Sequence, residues 1–208
     1  METILFLAHT EADGSLGRAA LEALGAARSL AASLTGSPLI AGLVGGEVQS
    51  AANHIAGCGA ARILGVAGPD FAPSRYSTDL VAVEALGRAA SASVVIAPAT
   101  SRWNRVMAGA AQHLDARIDT HVTGIAAAAS QPAITRWYYR QRMEAVLQRT
   151  PRPWFILLES GCAEAWSGAA GSASVEAVPV TLTAANRRTA VTGVKAPPAD
   201  EQTIRPDA

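Results

Sequence analysis

SVVIAPATSRWNRVMAGAAQHLDAR (residues 93–117) passes through Ile118 directly into DTHVTGI (residues 119–125). The apolar run that starts at Val94 ends at Pro98, and a short β-branched run closed by a breaker predicts a buried strand. The polar turn Ala99-Thr100-Ser101-Arg102 then feeds a segment in which Val106, Met107, Ala110, Ala111 and Leu114 recur at helical spacing. Strand, tight turn and amphipathic helix make one unit of a parallel sheet.

The same alternation fills the first half of the chain. Residues 4–8, 39–44, 62–66 and 93–97 read as strands, and 16–34, 48–56, 77–90 and 103–114 as helices. Short connections and right-handed crossovers place helices on both faces of the sheet, so the fold class is α/β: doubly wound, mainly parallel and Rossmann-like. After His121 the character changes. Residues 122–127, 133–139, 145–148, 154–158 and 175–180 read as strands of an antiparallel extension. The Gly-, Ala- and Ser-rich residues 161–174 read as a loop or poorly ordered tract. The domain is drawn at 1–183, and 184–208, with Asn186-Arg187-Arg188, Pro197-Pro198 and Asp200-Glu201, as an exposed linker-like tail.

The turn, the helix after it and the Asp119-x-x-Val122-Thr123-Gly124 that follows resemble the amino-terminal domain of the electron transfer flavoprotein alpha subunit. ILFLAHTEADGSLGRAALEALGAARSLA (residues 4–31) is similar to that family's first strand, its polar turn with Gly14, and its helix carrying Leu-Glu and then Ala-Ala-Arg. GVKAPPADEQTIRPDA (residues 193–208) is similar to the linker leading into the flavin domain. The resemblance covers nearly all of the chain but only the first of two domains. It implies an adenine-nucleotide-hydrolase-like domain that acts as a non-catalytic scaffold, pairing with a beta subunit to support flavin-mediated electron transfer. FAD is then expected of the complete complex and not of this chain alone, with the flavin domain on a separate chain and AMP in the partner. Two stretches depart from the pattern: Tyr139-Arg140-Gln141-Arg142 stands where the family is usually Gly-rich, and Glu159-Ser160-Gly161 where Arg-Pro-Gly is usual.

Composition narrows the function classes. With 17 basic and 17 acidic residues the formal charge is zero, so no global field recruits nucleic acid. No run approaches the roughly 18 apolar residues of a membrane span, and the start lacks the basic segment of a signal peptide. A cytoplasmic location is expected. Cys58 and Cys162 stand far apart, and His9, His54, His113 and His121 lack ligand spacing, so no metal site is expected.

Three turns invite a nucleotide reading. Gly57-Cys58-Gly59 ends a helix and precedes a strand, the reverse of a dinucleotide fingerprint, and reads as helix termination. Carboxylates in the turn 9–15 and in Gly45-Gly46-Glu47 cap their own helices and repel an anion. Thr100-Ser101-Arg102 is the better cofactor-binding candidate, since hydroxyls and a guanidinium meet at a helix start with no carboxylate in the turn. Helix capping explains the same residues. Arg136, Trp137, Tyr139, Arg140 and Arg142 form the most unusual local composition, and Arg, Trp and Tyr together are typical of protein interfaces. They also suit a single-stranded nucleic-acid platform, or plain packing over a core. No nucleophile elbow, Walker sequence or paired-histidine helix is present. The alternative to the scaffold is a stand-alone adenine-nucleotide-binding module of the same fold.

Overall fold

The computed structural model describes residues 1–193. Val94–Pro98 forms β4, buried along its whole length, as are β1 (Ile4–His9) apart from its last residue and β2 (Leu39–Gly45). Strands apolar on both faces are what a parallel sheet covered by helices requires. α1 (Arg18–Ser33), α2 (Gln49–His54), β3 (Arg62–Ala67), α3 (Tyr76–Ala89) and α4 (Ser101–His113) complete the alternating half. β5 (Arg117–Ala128), β6 (Gln131–Tyr138), β7 (Met143–Leu147), β8 (Trp154–Leu158) and β9 (Val175–Ala177) follow. The strand order is β7-β6-β5-β8-β4-β1-β2-β3-β9. Alternating side chains split the core: Ile4, Phe6 and Ala8 pack with α1 and α2, and Leu5 and Leu7 with α3 and α4. This is the doubly wound fold expected, and β5, β6 and β7 are its antiparallel extension.

The reading of the last two strands as antiparallel is corrected. β8 lies between β4 and β5 and is parallel to both, and β9 pairs parallel with β3. The chain leaving β4 through α4 skips one strand position before laying down β5. WFILL, buried at every residue, then fills that central slot, where an uninterrupted apolar run is required.

Residues 161–174 are largely without helix or strand but are strapped across α1 and α2. The Trp166 N–H donates to the Leu21 carbonyl at 3.0 Å, and the Ala173 N–H to Asn53 Oδ1 at 3.0 Å. A Cβ on Gly25 would lie 2.2 Å from the Glu164 carbonyl oxygen, so this helix position admits the strap only as glycine. Of the tail, residues 194–208 lie outside the described residues. Earlier in it, Ser77 donates to the Asn186 carbonyl at 2.7 Å and Arg187 pairs with Asp70 at 2.9 Å, which docks this part on α3.

Candidate functional site

β1 is flanked by β2 on one side and β4 on the other, the switch point at which open α/β sheets bind ligands beyond their strand ends. A crevice of about 890 Å³ opens there, with His9, Glu11, Glu47, Ser101, Arg102 and Arg105 among its lining residues. Thr100 is the N-cap of α4, and its Oγ1 accepts the Trp103 N–H at 3.3 Å. Ser101 is exposed on the first turn. Arg102 is buried: Nε and Nη2 donate to the Asp79 carboxylate at 2.9 and 2.6 Å, and Nη2 and Nη1 reach the Phe71 and Ala72 carbonyls at 2.6 and 3.3 Å. The predicted triad is therefore together in space, but its guanidinium ties α4 to α3. Burial lifts the Asp79 carboxyl above its usual range although Arg102 pulls it the other way. His9 meets the Trp103 ring edge-on at 5.6 Å, and burial, followed by the Arg102 charge, holds its imidazole below the usual range.

The exposed carboxylates of the neighbouring turns are bonded to their own backbones. Glu47 accepts the Ser50 N–H at 3.0 Å at the start of α2, and Asp13 accepts the Ser15 N–H at 2.9 Å. A Cβ on Gly14, where φ is +80°, would lie 2.7 Å from a Glu47 carboxylate oxygen, and one on Gly45 would lie 1.9 Å from Thr10 Oγ1. These close approaches serve the protein's own side chains. Glu11 and Glu47 line the crevice, and their negative charge opposes an incoming pyrophosphate, although the first turn of α4 carries no carboxylate. Gly59, at φ +83°, terminates the short 3₁₀ turn Ala56–Cys58 before β3, as the sequence indicates.

The second candidate site is the β6–β7 hairpin, and sequence reasoning missed the residue on which it is built. Asp119, on β5 and buried, accepts from Arg136 Nη1 at 2.8 Å, Arg149 Nη2 at 2.8 Å, Arg149 Nε, and the Trp154 indole at 2.9 Å. Burial pushes this carboxyl up, but the bonds from Arg149, Trp154 and Arg136 outweigh it and hold the group below the usual carboxylate range. A bulge at His121, φ +56°, shifts the β5 register just beyond. The signal available was a single Asp opening DTHVTGI within reach of an Arg-rich segment.

Of the predicted interface residues, Arg136 is committed to Asp119, and its guanidinium lies 4.4 Å from the centre of the Tyr138 ring. Trp137 is half-buried and faces Glu144 across the hairpin. Tyr139, 75% exposed, opens a turn in which Tyr139, Arg140 and Gln141 all have positive φ. Arg140 and Arg142 are exposed beside it, and Met143 and Val146 are exposed on edge strand β7. Two of the five predicted residues thus serve the fold at least in part, and three stand outward together.

These features define an α/β domain with a crevice at the carboxyl ends of its parallel strands, where Arg102 is bound by Asp79, and an outward-turned aromatic and basic hairpin. Among the described residues no cluster could hold a metal ion, and no helix is long and apolar enough to cross a membrane. The model of one family, the electron transfer flavoprotein domain, matches residues 4–183. The chain belongs to that family, whose members are electron-transfer components. No curated protein matches it.

Proposed function

We propose that this chain is a non-catalytic scaffold of the alpha type, pairing with a beta subunit to support flavin-mediated electron transfer. FAD is held outside the described domain, with AMP in the beta partner, and the complex works in the cytoplasm. One contrast supports this reading above all: Tyr139, Arg140, Arg142, Met143 and Val146 face outward on an edge hairpin, while the crevice's Arg102 is bound by Asp79. Exposed aromatic and Arg side chains are typical anchors of a protein interface, and an open edge strand invites a partner. A nucleotide module working through Thr100, Ser101 and Arg102 would have to detach Arg102 from Asp79. Co-expression with a beta-type chain from the same host, followed by native mass spectrometry, should yield a stoichiometric complex and no nucleotide on this chain alone. A bare chain carrying a nucleotide would establish the module instead.

A further inference from the structure

We infer that the turn Tyr139-Arg140-Gln141 is a preformed docking element for an acidic cleft on the partner protein, with Tyr139 as its anchor and Arg140 and Arg142 reading the charge. This rests on the scaffold reading and deepens it.

The backbone sets the turn apart. Its φ values are +47°, +54° and +64°, in three successive residues none of which is glycine, and side-chain-bearing residues visit this region singly and at a cost. Backbone held this way at an exposed tip is a frequent mark of a binding element. The Arg142 N–H closes the turn on the Tyr138 and Tyr139 carbonyls at 3.1 and 3.2 Å. Such a tip meets its partner already shaped, which lowers the ordering cost of binding.

Charge identifies the partner. The nearby arginines are occupied: Arg136 and Arg149 by Asp119, and Arg152 by Glu2. Arg140 and Arg142 form no ion pair among the described residues, and Glu144 is the lone carboxylate of the hairpin. A chain of zero net charge therefore presents a local positive tip, which favours docking on carboxylates. A cavity of about 350 Å³ beside the turn, walled by Trp137, Tyr138 and Arg136, offers room for a partner side chain. A single-stranded nucleic acid would need a row of open ring faces. Here Trp137 and Tyr138 are half-buried and Arg136 covers the Tyr138 ring, so Tyr139 alone is open.

The test measures binding to the beta-type chain at low and moderate salt. The wild type should bind and weaken as salt rises. The double variant Arg140→Gln with Arg142→Gln should bind about 10- to 100-fold more weakly with a flatter salt dependence, at unchanged melting temperature. Gln141→Gly should raise the melting temperature by about 2 °C and still slow association. A wild-type complex whose affinity and salt dependence are untouched by the double variant overturns the inference and leaves the scaffold reading standing. A wild type that ignores the beta chain defeats both. A mixed-sequence single-stranded oligonucleotide that binds the wild type and not the double variant would assign the tip to nucleic acid and overturn it as well.

Discussion

The crevice and the hairpin each hold a buried aspartate that binds arginine, and their carboxyls are shifted in opposite directions. Asp79 has one guanidinium against complete burial, and burial prevails. Asp119 is buried too, but two guanidiniums and an indole donate to it, and the bonds prevail. The number of donors also governs what is left to face solvent. At the crevice Arg102 is drawn inward to Asp79, while Arg105 beside it stays exposed and bonds Ser74. At the hairpin the pairing is completed at the base by Arg136 and Arg149, so Arg140 and Arg142 at the tip stay outward.

Replacing Asp119 should have the largest effect. Asp119→Ala strands two arginines and the Trp154 indole, and a loss of about 3–5 kcal/mol is expected from urea unfolding. A loss under about 1 kcal/mol would mean that the network does not hold the hairpin base. Arg102→Met should cost less, about 2–3 kcal/mol, because Asp79 can take up a proton instead of remaining a stranded charge.

Acid should separate the two sites. The folded pKa of Asp119 is depressed, so the stability it contributes is full above the unfolded aspartate value of about 3.9 and is lost as pH falls through the lower folded value. The folded pKa of Asp79 is raised, so its contribution is full below the unfolded value and declines as pH rises through the folded one. Hairpin amides should therefore lose exchange protection on acidification before those of α3 and α4, and Asp119→Asn should remove the difference. The loss in Arg102→Met should shrink between pH 7 and pH 5. If both regions opened together in acid, the contrast between the aspartates would have no energetic consequence.

The smallest effect is expected at Tyr139. With 75% of the residue exposed, Tyr139→Ala should change stability by no more than about 0.5 kcal/mol. A larger loss would make Tyr139 part of the fold and weaken its role as an anchor.

Much of this architecture is legible in residue order, because side-chain periodicity and turn chemistry are local. Val94 to Pro98 followed by the spacing of Val106, Met107, Ala110 and Ala111 predicts β4 and α4, and Thr100 caps the helix as its hydroxyl allows. The glycines at 57 and 59 read correctly as a helix ending for the same reason. Strand neighbours are not local. The slot that β8 takes between β4 and β5 depends on how α4 and the hairpin fill space. Which arginine faces outward is a tertiary outcome too: Arg136, Arg140, Arg142 and Arg149 look alike in sequence, and only the approach of Asp119 from 17 and 30 residues away separates the paired from the free. A single buried carboxylate, placed by the fold, sorts them because an unpaired charge cannot stay inside while an exposed one can.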